Sequence, residues 1–202
     1  MGRLTLLCSI LMFGAVACGG DDVDSDEQAR RAYLGLDGSM GKAIGLGFDG
    51  FNMASSANIA PQTGPGTKAG TQTITGQVDQ GSSDNKGMRL FVGMVGYNDG
   101  PYVVDVMDDI KYEVIYDTDM AAATQPALDM MLKNIPTGTL DGTLVGTYHL
   151  TGDIQGDVLL NLVITGHLAD GGGGKVIRAP GTTTITGTAK QGDGTYNVNV
   201  TL

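Results

Sequence analysis

The sequence predicts a mainly β protein: a curved antiparallel sheet or open barrel of about 8–9 strands, with one N-terminal, glycine-bearing helix packed on it. Three observations predict this class. From residue 71 onward, apolar and polar residues alternate with a period of two. Glycine- and aspartate-rich stretches such as "GSSDNKG", "YNDGP", "TGDIQGD", "DGGGG" and "KQGDG" separate the alternating runs. Between about residues 28 and 57 the apolar spacing changes to three or four, the helical period.

The first element is not part of the folded body. Arg3 and the amino terminus supply positive charge, and Leu4 to Val16 are apolar or small. That run is shorter than the ~20 residues a membrane-spanning helix needs, and it suits the apolar region of a secretory signal. It stops at Ala15-Val16-Ala17-Cys18. These four residues resemble the lipobox of bacterial lipoproteins, although that family usually has Leu where this chain has Ala15. The resemblance implies removal of residues 1–17 as a signal peptide, acylation of Cys18 and attachment to a membrane of the cell envelope. Gly19 follows the cysteine, which by the same resemblance points to the outer rather than the inner membrane. Ordinary secretion with a cut after Ala15-Val16-Ala17 is the alternative. The position of Cys18 at the border between the oily and acidic segments favours lipidation.

Residues 18–27 then read as an acidic, flexible tether, because "GGDDVDSDE" offers little apolar area to bury. Cys8 leaves with the signal and Cys18 is consumed, so the mature chain has no disulfide framework. Residues 28–202 form one domain, with a helix at about 28–57, a loop at 58–70 and a β body at 71–202.

The helix has an N-cap candidate in Ser25 or Asp26 and acids in its first turn. Tyr33, Leu36, Met40, Ile44, Phe48 and Phe51 make one stripe. Gly35, Gly38, Gly41, Gly45, Gly47 and Gly50 weaken it, each by about 0.8–1.0 kcal/mol relative to Ala. The helix must therefore be held by burial of its stripe, or break near Gly45–Gly50. "NIAPQTGPGTKAG", residues 58–70, is a Pro/Gly loop by composition.

In the β body, Leu140, Leu144, Tyr148 and Leu150 share one parity, as do Val158, Leu160, Leu162, Ile164 and Leu168. Ile110, Tyr112, Val114 and Tyr116 form a further apolar set, and Tyr196, Val198, Val200 and Leu202 another. One face is oily and the other wet. Met88 to Tyr97 departs from this rule: Leu90, Val92 and Met94 lie on one face, Phe91, Val95 and Tyr97 on the other. An Ile/Leu-Thr-Gly unit recurs at Gly76, Gly152, Gly166 and Gly187. A glycine on the oily parity marks a bend or a close approach, with the helix as the expected neighbour. Leu36, Met40, Ile44, Phe48, Phe51, Leu90, Val92 and Met94 are thus the candidate apolar face, for helix packing or for a ligand.

Chemical motifs are weak. "GLGFDG", residues 45–50, matches G-x-G-x-x-G but lacks a preceding strand and a following acid. "DVDSDEQARRAY" lacks the Gly and Glu that a calcium loop needs. Pairing across a hairpin at Gly152–Gln155 puts His149 near Val158 and His167 near Leu140, roughly 30 Å apart. Both are read as surface histidines. No catalytic residue, cofactor or metal site is expected, and the chain is read as a non-enzyme. Of 12 basic residues, loss of Arg3 leaves 11 against 22 acidic residues, which disfavours a nucleic-acid partner.

The functional expectation is a membrane-anchored envelope lipoprotein with a structural or partner-binding role. Its partners are the membrane, through acyl chains on Cys18, and an envelope protein or lipid. The alternative is a carrier or sensor of a hydrophobic ligand in the concave side of the sheet, lined in part by Met88, Met94, Met107, Met130 and Met131. That alternative resembles, in architecture alone, periplasmic carriers of lipids and lipoproteins. The body also resembles bacterial lipoproteins with a Gly/Thr-rich β region, a likeness that carries no activity.

Overall fold

A computed structural model describes residues 25–202; the expected signal peptide, Cys18 and most of the expected acidic tether lie outside the described residues. The described residues form one helix, α1 (Asp26–Met53), and twelve strands. These are β1 (Gln62–Pro65), β2 (Ala69–Val78), β3 (Lys86–Asn98), β4 (Tyr102–Asp105), β5 (Ile110–Tyr112) and β6 (Val114–Asp117). The remainder are β7 (Ala127–Lys133), β8 (Thr139–Gly152), β9 (Gly156–Gly172), β10 (Lys175–Arg178), β11 (Thr184–Gln191) and β12 (Gly194–Thr201). Ten form a single antiparallel sheet in the order β1-β2-β3-β6-β8-β9-β11-β12, with β7 also between β3 and β8 and β10 on the end of β9. β4 and β5 pair separately. The sheet is open and mainly β as the alternation predicts, with β1 and β12 at its ends and the helix packed on it.

The helix starts at Asp26, two residues before the expected limit, so Asp26 and Glu27 belong to it and not to the tether, and the N-cap is the expected Ser25. The Ser25 side chain accepts from the Gln28 N–H at 3.3 Å, and Asp26 and Glu27 occupy the first turn. It runs unbroken through Gly45–Gly50, so "GLGFDG" is helix interior. It ends at Met53, four residues short of the expected limit. The backbone of 57–59 is taken by β2 instead: Val78 N–H donates to the Ala57 carbonyl at 2.8 Å and Ile59 N–H to that of Gly76 at 3.1 Å.

The core lies between α1 and the inner face of the sheet. Leu36, Met40, Ile44 and Phe48 are buried there with Leu90, Val92 and Met94, and Phe51 packs at its margin. These residues meet each other, so the concave side is filled by the helix. Met88, Met94 and Met130 belong to this core, whereas Met131 and Met107 face out.

Three expectations need correction. The 58–70 loop contains β1, which pairs Gln62–Pro65 against Ile74–Thr71. Pro65 is tolerated because β1 is an edge strand, where a missing N–H breaks no ladder. Ile110 and Tyr112 do not belong to the strand of Val114 and Tyr116, although Tyr112 still packs against the margin of the core. They form β5, paired to β4, and Ile110 is exposed while Val114 and Tyr116 are buried. Tyr97 is fully buried despite sharing parity with exposed Val95. Gly96, at φ 54°, sits where the β2–β3 register shifts, and that bulge turns the strand over.

The recurring glycines mark close approaches, and the neighbour they approach is adjacent β-body backbone rather than the helix. Gly76 (φ 131°) lies opposite Leu90, and a Cβ there would stand 2.2 Å from the Arg89 carbonyl oxygen. Gly187 (φ 141°) lies opposite Leu162, and a Cβ would stand 2.1 Å from that of Asn161. Gly166 differs: it packs against Thr183 and has no positive φ.

Candidate functional site

The outer face of the sheet carries a groove of about 510 Å³ across β3, β7, β8 and β9. Strand register builds it. Arg89, Asp129, Thr143 and Val163 form one row, and Gly87, Met131, Asp141 and Thr165 the next. Gly87 contributes no side chain to the floor. Met131 and Val163 supply apolar surface and are 40% and 46% exposed. Arg89 is held at the rim by Asp79 at 2.9 Å, and Lys133 by Asp141 at 2.7 Å. Val145 and Leu159, also exposed, extend the apolar surface diagonally toward the other end of β8 and β9. The outer face is therefore not uniformly wet. Its chemistry suits an apolar group flanked by polar ones.

A second feature lies beside it. β6 and β7 are collinear halves of one strand position, both pairing with β8. Residues 118–126 leave the sheet between them. Thr118 closes the gap, since its Oγ1 accepts from the Met94 N–H at 2.9 Å and its N–H donates to the Met94 carbonyl at 3.2 Å. The excursion is also tied to the outer face by His149. His149 Nδ1 lies 2.7 Å from Asp157 Oδ1, and Nε2 lies 3.2 Å from Asp119 Oδ1. Asp157 and then Asp119 hold the imidazole above its ordinary pKa by hydrogen bonding. Both ring nitrogens are engaged, so neither serves as a free base or ligand in this geometry.

His149 pairs opposite Asp157 and His167 opposite Thr139. Ten positions along β8 separate them, roughly 33 Å. Two nearby carboxylates are held by backbone: Asp117 accepts from the Gly96 N–H at 2.7 Å, and Asp105 caps the β4–β5 turn. Among the described residues, no group of three His, Cys, Asp or Glu side chains is placed to hold a metal ion.

A smaller pocket of about 180 Å³ lies where the N-terminal half of α1 meets β6 and the 99–102 segment. Gly35, Gly38, Gly100, Tyr102 and Tyr116 line it, with Asp99 at its edge. Lys42 Nζ donates to the Tyr97 hydroxyl at 2.6 Å, which donates to Asp99 Oδ2 at 2.5 Å. Burial pushes Asp99 up, but bonds from Tyr97 and Thr67 and the Lys42 charge outweigh it and leave the carboxyl below its ordinary range. Burial pushes the Tyr102 hydroxyl up to about 12. This network ties α1 to the sheet: Lys42 also reaches the Pro65 carbonyl at 2.9 Å.

Sequence reasoning placed Leu36, Met40, Ile44, Phe48, Phe51, Leu90, Val92 and Met94 on one apolar face, and the structure brings them together as core. It missed the outer groove. Adjacent apolar residues of both parities, Val158-Leu159-Leu160 and Leu162-Val163-Ile164, were the available signal. Cys18 lies outside the described residues. No protein-family model, curated protein or solved structure matches the chain.

Proposed function

We propose that this chain is a cell-envelope lipoprotein, anchored through acyl chains on Cys18 and placed at the outer membrane. Its β body has a structural or partner-binding role without catalysis. The lipobox resemblance supports the anchor. The observation that carries the binding role is the outer groove: an apolar surface left exposed by a sheet whose other side is already filled by α1. Its paired rim charges favour an apolar segment with polar flanks, as a partner protein in the envelope would offer.

The test has two parts. Palmitate incorporation into the wild-type chain, and its loss in Cys18→Ala, checks the anchor. A photo-crosslinking residue at Thr143, compared with one at Ser82, checks the groove; cross-links confined to Thr143 support docking there, and equal yields remove it.

The carrier of a hydrophobic ligand is the second reading. One observation favours it: the groove volume falls within the ~300–1,000 Å³ of small-molecule sites. Lipid that co-purifies with the protein and is displaced by Val163→Lys would establish it. The concave side, packed with α1, is not where such a ligand would sit.

A further inference from the structure

We infer that the tip of the β4–β5 hairpin, Val106 and Met107, inserts into a zwitterionic lipid surface beside the N-terminal anchor. The inference rests on the acylation of Cys18 proposed above.

Val106 is 88% and Met107 97% exposed, the most exposed large hydrophobic side chains among the described residues. Val103 and Ile110 continue the apolar surface down the hairpin. An ordered turn presents them. Asp105 Oδ1 accepts from the Met107 N–H at 2.8 Å and the Asp108 N–H at 3.2 Å, and Asp109 completes the turn at φ 49°. Two adjacent apolar side chains presented by this turn have no neighbour among the described residues that buries them.

The hairpin is fixed to the start of α1. Arg30 Nη2 donates to the Val104 carbonyl at 3.0 Å, and Arg31 Nη1 donates to the Tyr112 hydroxyl at 2.9 Å. The Arg31 guanidinium also lies 5.5 Å from the Tyr112 ring centre. At the hairpin base, the Tyr102 ring abuts Gly35. β4 therefore runs antiparallel to α1, toward the helix N-terminus. From Gly35 back to Asp26 the helix rises about 14 Å. From Tyr102 to Val106 a strand extends about 13 Å. The tip consequently reaches the level of the first helical turn.

That end is where the chain departs for its anchor. Cys18 precedes Ser25 by seven residues, a span of at most about 25 Å. Acyl chains on Cys18 hold the bilayer within that distance of the helix start, with the hairpin tip on the same end of the molecule. Charge selects the kind of lipid. Asp105, Asp108 and Asp109 surround the tip and Asp26 and Glu27 lie in the first helical turn, against Lys111, which pairs with Asp109 at 3.1 Å, and Arg30 and Arg31, which pair with Glu27 at 2.6 Å and 2.9 Å. That balance repels an anionic headgroup layer and is compatible with a net-neutral one.

The test uses the full chain, matured and acylated in a bacterial host, and floated on phosphatidylcholine vesicles. An environment-sensitive dye is placed on Met107→Cys and, as control, on Ser82→Cys in the β2–β3 loop at the opposite end. Insertion predicts blue-shifted emission at Met107 and several-fold stronger quenching by a lipid-borne quencher than at Ser82. Val106→Asp reverses the shift, and added anionic lipid weakens it. Floated, acylated protein whose Met107 dye reports water, as at Ser82, overturns the inference and leaves the anchor standing. An N-terminal peptide with the mass of unmodified Cys18, and no flotation, overturns the anchor and the inference with it.

Discussion

Gly35 of α1 lies under the Tyr116 hydroxyl of β6, so close that a Cβ at Gly35 would stand 1.9 Å from that oxygen and 2.6 Å from the Tyr102 ring. Tyr116 Oη in turn donates to the Ala32 carbonyl at 3.2 Å, fixing the ring against the helix. The glycine that weakens the helix in isolation is the one that lets the sheet approach it. At Gly38 and Gly45 an added Cβ would meet no neighbour within 4 Å, so their missing side chains serve no such contact. Gly35→Ala is expected to destabilise the fold by roughly 1–3 kcal/mol through overpacking. Gly38→Ala and Gly45→Ala should each stabilise it by about 0.8–1.0 kcal/mol through helix propensity. Urea unfolding of the three variants checks this; a stabilised Gly35→Ala would show that Tyr116 moves freely.

The close approaches within the sheet make a second, separable prediction. Gly76 and Gly187 combine positive φ with a neighbouring carbonyl oxygen 2.2 Å and 2.1 Å, respectively, from an added Cβ. Neither can carry a side chain without moving the adjacent strand. Gly76→Ala and Gly187→Ala are each expected to cost roughly 2–4 kcal/mol, from backbone strain together with the clash. Gly166→Ala should cost less, since its φ is ordinary and its close neighbour is the Thr183 side chain at 3.0 Å. Calorimetry on the three variants would rank them; equal effects would mean that the repeated unit has one role in all its copies.

Much of this was legible in the residues. β8 and β9 are long, and each buries one parity, so Leu140, Leu144, Leu160 and Leu162 fall inward as their spacing indicates. Register, set by a tight turn, then placed the two histidines within a residue of expectation. What failed has a common cause: a period-two pattern carries no mark of where a strand changes sheet or parity. Tyr97 changes face because Gly96 adds a residue to the strand, and Gly96 looks like any other glycine. Ile110 and Tyr112 alternate smoothly into Val114, although the chain switches sheets at Glu113, whose N–H is taken by Asp153 at 2.8 Å. β1 was hidden because Pro65 reads as a breaker until an edge position excuses it. Of the candidate site, the outer groove depends on which apolar residues of both parities find cover, and cover is a tertiary property.

The clamp on residues 118–126 should respond to pH. Asp119 and Asp157 face His149 directly, and Asp117 lies opposite it in register, with its carboxylate also bonded to Gly96. The folded state raises the His149 pKa above the ordinary 6.5, mainly through Asp157. A raised folded pKa means that the folded state binds the proton more tightly than the unfolded chain does. The stabilisation is therefore complete below pH 6.5 and is lost as pH rises through the elevated value. The effect is small because the pair is solvent-screened. Ring NMR of His149 should show a midpoint above 6.5, and amide protection in 118–126, taken relative to the intrinsic exchange rate at each pH, should fall above that midpoint. His149→Gln should remove the pH dependence of that protection; its persistence would assign the ordering to Thr118 alone.

The outer groove can be tested without disturbing the core, because its apolar residues contribute little to folding. Val163 and Met131 point away from α1 and already face water at nearly half their area. Replacing either with Lys removes apolar surface from the groove while leaving Leu162, Ile164, Met130 and Leu132 packed inside. Stability should change by no more than about 0.5 kcal/mol, the range of ordinary surface substitutions. Docking should respond differently, since a lysine at either position replaces apolar groove surface with a charged, strongly hydrated amine. Val163→Lys is therefore expected to abolish cross-linking from Thr143 at unchanged urea midpoint. Leu159→Lys, at the far end of the diagonal, should reduce it less. If both variants cross-link as the wild type does, the groove is ordinary surface and the partner engages another face.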